Sequence, residues 1–493
     1  MRARPSVAIV GGGFGGVGAA TMLRREGYED VTVFEKGERV GGVWQHNTYP
    51  GAACDIPSHL YEYSFAPNRW SRRYAPQAEI QAYVEGVARR FGVLENVRTG
   101  TEVKSATWDE QRGCWTLETG GGRHEADLLL TACGQLSVPK VPPISGLDSF
   151  DGPAFHTAEW RHDVELAGKR VAVIGTGCSA IQVVPAIQPL VTQLDVYQRS
   201  PGWTFPKMDY EYSPRARALF KRFPPLRRLD RASIYAFQEV GAAAMTSQRW
   251  LLPLFRAVGR RQINSAIADP ELRRKVTPAD EVGCKRIMLT DDWYPALAQA
   301  NVDLVTERIA TVTPSGIRDA AGIERAADAI VLATGFASHD FVAPMAITGS
   351  EGRSLAGEWA DVARAYLGLS VPGFPNLFLL YGPNTNGGTG SVINTLECGV
   401  GHVLAALREM ERSGASRIEV RAEAAKSFDR ELRAALADTV WHSGCSNWYV
   451  DENGNDPSQW PWLWSTYRRR TERLEPGAYE LSKAPTLASV GLG

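Results

Sequence analysis

Four short apolar runs punctuate this chain, and each leads to a glycine. Val7 to Val10 runs into Gly11, Leu128 to Leu130 leads to Gly134, Val171 to Ile174 runs into Gly175, and Ile330 to Leu332 leads to Gly335. Runs continuous in Val, Ile and Leu, rather than alternating with polar residues, suit parallel strands buried on both faces. The four form two matched pairs. The first run of each pair opens a glycine turn, Gly11-x-Gly13-x-x-Gly16 in one case and Gly175-x-Gly177-x-x-Ala180 in the other. The second run of each pair follows Ala-Asp, at Ala126-Asp127 and Ala327-Asp328, and in both the interval from Asp to Gly is seven residues. Between Tyr210 and Asp280 the pattern changes to helical spacing with mixed charge, as in Leu226-Arg227-Arg228-Leu229 and Leu272-Arg273-Arg274.

This repetition predicts an α/β protein with two doubly wound, Rossmann-like dinucleotide-binding domains, the second inserted into the first. Residues 1–150 form the first part of one domain, and Pro139, Pro142 and Pro143 mark the way out of it. A linker occupies 151–164. The second domain covers 165–335 with a helical excursion at about 210–280, for which a packing module and a substrate role both stay open. Residues 336–493 return to the first domain and end in an aromatic-rich segment carrying Trp441, Trp448, Trp460, Trp462 and Trp464.

The two turns end in opposite charges. Glu35 lies nineteen residues past Gly16, and Arg199 lies nineteen past Ala180. In each unit the turn residues, Gly11, Gly13, Phe14, Gly15 and Gly16 or Gly175, Thr176, Gly177, Cys178, Ser179 and Ala180, let backbone N–H groups approach a pyrophosphate. A carboxylate at the end of the second strand accepts from ribose hydroxyls and repels a 2′-phosphate. A guanidinium does the reverse. The first site therefore suits FAD or NAD and the second suits NADPH, which together imply hydride transfer from NADPH to a flavin.

The remaining composition narrows the setting. The net charge of −1 gives no broad field for nucleic acid or anionic membrane. No apolar stretch nears the roughly 20 residues that span a bilayer. The strand pattern begins almost at once, which leaves no room for a signal peptide. Seven scattered cysteines without C-x-x-C read as reduced thiols in a cytoplasm rather than a disulfide framework, and the histidines show no metal spacing. A small-molecule substrate with no nucleic-acid, membrane or obligate protein partner is the expectation.

Further motifs carry a family resemblance. Phe150-x-Gly152-x-x-x-His156-x-x-x-Trp160 lies between the two units, and Gly41-Gly42-Val43-Trp44, Tyr49-Pro50-Gly51 and Asp55 lie in the first. Together with Cys284-Lys285-Arg286, Ala333-Thr334-Gly335-Phe336, Gly382-Pro383-Asn384-Thr385 and Trp448-Tyr449, they resemble the type I Baeyer–Villiger monooxygenases over nearly the whole chain. One departure is Arg161, where that family usually carries Pro or Asp.

The resemblance implies an FAD- and NADPH-dependent enzyme that uses O2 to convert a ketone to an ester or lactone through a peroxide on flavin C4a. It makes Arg286 the cation at the flavin face and Asp55 its orienting carboxylate. It puts Gly42, Val43, Trp44 and Gln45 along the flavin, Val103 near the adenine, and Gly382 and Asn384 among the FAD contacts. Lys285 and Ser200 join Arg199 at the 2′-phosphate, and Trp448 lies near the nicotinamide nucleotide. Gly387, Gly388 and Thr389 line the substrate pocket, where few side chains imply spare room and tolerance of bulky ketones. His156 is a hinge or docking residue or a plain structural histidine. The alternative is an N- or S-oxygenating flavin monooxygenase. A flavin disulfide reductase needs a paired dithiol that the spacing does not offer.

Overall fold

A computed structural model describes residues 4–451 and 453–483. All four apolar runs become central strands. The first sheet is parallel, in the order Leu377–Leu379, Leu128–Thr131, Val7–Val10, Val31–Phe34, Val97–Arg98. The second is also parallel, in the order Val302–Val305, Gln193–Tyr197, Arg170–Ile174, Ala329–Leu332, Ala154–His156. The two sheets correspond strand for strand at their centres. The run after each Ala-Asp pairs directly with the run before each glycine turn, so Val7 lies opposite Leu128 and Val171 opposite Ala329. Leu128, Leu129, Leu130, Ile330 and Val331 are fully buried, which is why these strands do not alternate.

Helix Phe14–Arg25 packs against the first sheet and helix Val392–Ser413. Its run of small residues permits the close approach: a Cβ on Gly18 would stand 2.8 Å from the Tyr63 ring, and one on Gly16 only 1.9 Å from the Gly11 carbonyl oxygen. The chain leaves the first sheet, builds the second, and returns at Leu377–Leu379. The segment expected as a plain linker does more than connect, because Ala154–His156 is the edge strand of the second sheet. Arg161, the departure noted above, pairs with Asp163 at the surface.

The helical excursion consists of Pro214–Arg222, Pro224–Met245, Leu252–Ala266 and Pro270–Val276. Its starts follow capping chemistry. The Ser213 hydroxyl accepts from the Ala216 N–H with Pro214 next in line, and the Asp269 carboxylate accepts from the N–H groups of Glu271 and Leu272. Among the described residues no helix is long and apolar enough to cross a membrane.

Candidate active site

Each glycine turn is forced by its own sheet. Gly11 and Gly175 have φ of 108° and 116°, and a Cβ on either would stand 2.4 Å or 2.3 Å from the carbonyl oxygen of Ala132 or Ala333 in the neighbouring strand. Neither the angle nor the space admits a side chain. Around Gly177, by contrast, no protein atom lies within 4 Å of an added Cβ. The turn is open at that position.

At the first turn Glu35 is 5 % exposed, and its carboxylate is already engaged. Oε2 accepts from the Gly12 N–H at 2.6 Å and Oε1 from the Gly37 N–H at 2.7 Å. Each oxygen keeps a lone pair free for a ribose hydroxyl. The Gly41-Gly42 turn docks beside it through the Gly41 N–H on the Gly12 carbonyl, at 2.9 Å, and aims the short helix Val43–His46. Trp44 is fixed by its Nε1 on the Tyr61 hydroxyl at 2.9 Å and by an edge-on stack on the same ring. Gln45 turns its Oε1 toward Gly37 and Glu35, where it is buried and without a protein partner. Val103 is buried beneath this unit at the start of strand Val103–Asp109.

At the second turn the charges are exposed rather than buried. Arg199 and Ser200 lie at the surface after strand Gln193–Tyr197. Lys285 Nζ donates to the Ser200 hydroxyl at 2.9 Å and pairs with Asp280 at 2.6 Å. Lys285, from a distant segment, thus meets Ser200, the neighbour of Arg199 in the chain.

One residue beyond Lys285, the Arg286 guanidinium bonds Asp55 with Nη2 2.7 Å from Oδ2. Their side chains are 28 % and 23 % exposed, so both are largely shielded from bulk water. The Asp55 charge holds the Arg286 guanidinium protonated beyond its ordinary range. Burial alone would raise the Asp55 carboxyl, but Arg286, by charge and hydrogen bond, keeps it below the usual carboxylate range. Both groups stay ionised at neutral pH. Cys178, in the second glycine turn, and Tyr449 and Tyr381, from the returning chain, also feel the Arg286 charge. The guanidinium therefore sits where the two units meet.

The Tyr49-Pro50-Gly51 turn explains that meeting. The Tyr49 hydroxyl donates to Gln182 Oε1 at 2.8 Å, and Gln182 Nε2 donates to the Ala53 carbonyl at 2.9 Å. Gly51 has φ of 82°, and a Cβ there would stand 2.5 Å from the Gln182 carbonyl oxygen. The turn of the first unit thus lies directly on helix Ala180–Ile187, which opens at the second glycine turn.

Two expectations, on the cysteines and on the glycine loop, require correction. Cys284 and Cys445, 161 residues apart, form a disulfide, so the cysteines are not all reduced. The bond joins the segment bearing Lys285 and Arg286 to the one bearing Trp448 and Tyr449, a pairing that sequence spacing cannot disclose. The glycine loop 387–390 is not spare room. A Cβ on Gly387 or Gly390 would strike Trp464, and one on Gly388 would strike Met245 Sδ. Thr389 donates to the Gln238 carbonyl and its own carbonyl accepts from Trp464 Nε1, both at 2.9 Å. The side chain of Asn384 is committed to the Asp456 and Gln459 carbonyls, while Gly382 is crowded by the Gly368 carbonyl oxygen. His156 caps a turn, its Nδ1 accepting from the Ala158 N–H, and burial lowers its pKa, so it is a neutral structural imidazole.

Sequence reasoning missed Met245 and Gln238, and it named Trp441 and Tyr449 only within an aromatic-rich segment and a motif. Met245 ends the long helix of the excursion between Gly388 and Gly283. Trp441 and Tyr449 are buried, yet Trp441 Nε1 and the Tyr449 hydroxyl have no protein partner. The shift from charged residues to Gly241-Ala-Ala-Ala-Met245 was the available signal that this end turns inward. Trp448 is 37 % exposed and packs one side against the Tyr449 ring.

Comparison with known proteins agrees with this geometry. A family model described as pyridine nucleotide-disulphide oxidoreductase matches residues 8–241. A Baeyer–Villiger monooxygenase of Streptomyces coelicolor is 42 % identical over 488 residues, covering 98 % of this chain and 94 % of the relative. Another, of Pseudomonas aeruginosa, is 42 % identical over 486 residues, covering 98 % and 92 %. Among solved structures, an oxidized steroid monooxygenase bound to NADP superposes with a TM-score of 0.86 at 32 % identity, over 97 % of this chain and 99 % of that one. The cyclohexanone monooxygenase from Rhodococcus sp. Phi1 bound to NADP+ gives 0.87 at 27 % identity with the same coverage. With its paired glycine turns, its Asp55–Arg286 cleft and relatives of this identity along its whole length, the chain belongs to the Baeyer–Villiger monooxygenase family.

Proposed function

We infer that this protein is an NADPH- and O2-dependent flavoprotein monooxygenase that converts a ketone to an ester or lactone. The observation that carries the reading is the Arg286–Asp55 ion pair at the junction of two dinucleotide turns. FAD at the first turn supplies the two-electron chemistry that takes hydride from NADPH and activates O2. The residues suit it: Glu35 keeps lone pairs for the ribose, and the orphaned Gln45 Oε1 lies beside it. At the second turn, Arg199, Ser200 and Lys285 offer donors to the 2′-phosphate of NADPH, and the space at Gly177 admits the pyrophosphate.

Arg286 cannot surrender its proton in this setting, so it holds a fixed positive charge in the cleft. That charge would steady the oxyanion that develops on a ketone carbonyl. Asp55 orients the guanidinium. Gly387, Gly388 and Thr389, with Met245, Trp441 and Trp464 behind them, form the wall of the ketone pocket, and Trp448 borders the nicotinamide side. Residues 1–150 and 336–493 constitute the FAD domain, 165–335 the NADP domain, and 151–164 the joining segment. On this reading the enzyme works in the cytoplasm, with a small-molecule ketone and O2 as its partners.

Purified protein should be yellow and take up O2 with NADPH, and a panel of cyclic, linear and aryl ketones should yield esters or lactones. A yellow protein that oxygenates thioethers but no ketone would overturn the reading. The Cys284–Cys445 bond favours one other chemistry, electron transfer to a disulfide. Anaerobic NADPH would then release two thiols per chain. An unchanged thiol count supports the oxygenase.

A further inference from the structure

Large apolar side chains left exposed are unevenly distributed. Among the described residues there are seventeen, and eleven of them fall between Met208 and Val258. On helix Pro224–Met245, Leu226, Leu229, Phe237 and Val240 project to solvent, Leu229 at 66 % and Phe237 at 70 % exposure. At about 100° per residue these four span an arc of roughly 80°, a continuous stripe. The other side of the helix turns inward, with Ile234 buried and Arg231 Nη1 donating to the His59 and Glu62 carbonyls. Next in the chain, Trp250 and Leu254 are 73 % and 64 % exposed, one helical turn apart.

The same stretch is cationic. Residues 213–261 hold eleven Lys and Arg against two acidic residues, a net of +9, while the remaining chain carries −10. The whole-chain value of −1 conceals this division. Arg222, Arg228, Arg260 and Arg261 are exposed and make no ion pair among the described residues.

Apolar stripes of this extent mark a binding face. Their chemistry selects the partner. Two copies of a +9 surface repel each other, which opposes self-association through this face. A nucleic-acid backbone has no use for Leu, Val and Phe along a stripe. Amphipathic helices with Phe, Trp and Leu among arginines suit the boundary between headgroups and acyl chains, where each cation adds attraction to anionic lipid. We propose that the helical excursion docks the protein, without spanning, on the surface of a bilayer rich in anionic lipid. The proposal does not rest on the ketone reading.

Cosedimentation of the full-length flavoprotein with vesicles tests it. Vesicles of phosphatidylcholine with about 30 % phosphatidylglycerol should bind the protein at least about tenfold more tightly than pure phosphatidylcholine, and about 0.5 M NaCl should reverse most of that gain. Leu229→Ser with Phe237→Ser, and separately Arg228→Glu with Arg260→Glu and Arg261→Glu, should each lower the partition coefficient at least about tenfold. NADPH oxidation with a water-soluble ketone should stay within about twofold of wild type in both variants. Absence of binding to the anionic vesicles, or equal binding by wild type and both variants, would overturn the proposal. So would a concentration-dependent dimer in light scattering that the Ser variant abolishes while vesicle binding is absent, which would assign the face to a second copy.

Discussion

The two glycine turns share a backbone and differ in how they hold their charges. Gly11 and Gly175 have nearly the same φ and the same close approach to a neighbouring carbonyl. Beyond that point the units diverge. Glu35 is buried, with both oxygens bonded to backbone N–H groups of its own unit. Arg199 is exposed, and Lys285 reaches its neighbour Ser200 from a segment 85 residues farther along the chain. The first unit fixes its carboxylate with its own backbone. The second draws one of its cations from a distant segment. A buried, preorganised acceptor suits a nucleotide that stays, whereas exposed cations suit one that enters and leaves with each turnover.

The largest effect should come from the part both units share. Arg286→Ala removes the fixed charge from the cleft and should lower ester formation by about a thousandfold or more, since a single oxyanion donor alone is worth roughly 10²–10³. Flavin content should be unchanged, and NADPH oxidation should then yield hydrogen peroxide. Chromatographic product analysis that still finds ester at a tenth of the wild-type rate would remove Arg286 from the chemistry.

The next pair of changes tests the comparison directly. Lys285→Ala with Arg199→Ala should raise the KM for NADPH by about 10–100-fold and leave flavin content and melting temperature unaltered. Glu35→Ala should do the opposite. It strips the acceptor from the buried Gly12 N–H, at about 1–3 kcal/mol, and from the part-buried Gly37 N–H, so melting temperature and flavin occupancy should fall together. If the cation variant lost flavin, or Glu35→Ala changed only the nicotinamide KM, the division of labour between the units would be wrong.

Gly51→Ala probes the seam. Its φ of 82° and the Gln182 carbonyl oxygen 2.5 Å from the added Cβ oblige the first unit to back away from the second. Strain of about 1–3 kcal/mol is expected, felt in the distance between nucleotides rather than in either site. The kcat should fall about tenfold while both nucleotides bind as before. A shift confined to the KM for NADPH would place the damage in one site instead.

What the sequence disclosed follows from how local each feature is. Strand, turn and charge reader of each unit lie within a few dozen residues, so spacing alone located Gly11 to Glu35 and Gly175 to Arg199. The Ala-Asp repeats were legible because burial on both faces demands continuous apolar runs. Asp55 and Arg286 are 231 residues apart, and only the family resemblance joined them before the structure did. Cys284 and Cys445 had neither spacing nor that help. The loop at Gly387–Gly390 was misread because glycine signals equally a space and a neighbour that fills it, and Met245 and Trp464 fill this one. The cationic excursion was hidden by averaging charge over the whole chain.

The smallest effect concerns pH and falls on the flavin side alone. Burial pushes the Asp456 carboxyl up to about 7, although Oδ1 accepts from the Ser458 and Gln459 N–H groups. The folded protein therefore keeps this proton through a window in which the unfolded chain, with a carboxyl near about 3.9, has released it. Between those values the folded state binds more protons, so this group's contribution to stability is complete below about 3.9 and is lost as pH rises through about 7. The Asp456 carbonyl receives Asn384 Nδ2, which ties the effect to the loop Gly382–Asn386 of the returning chain. Asp456→Asn removes the titration. Its melting temperature should come closest to wild type near pH 4 and exceed it by a few degrees near pH 8, where wild type should also release flavin faster. The KM for NADPH should not follow. A melting difference that stays constant from pH 5 to pH 8 would show that Asp456 keeps one protonation state throughout, and the alkaline weakness of the flavin side would then need another origin.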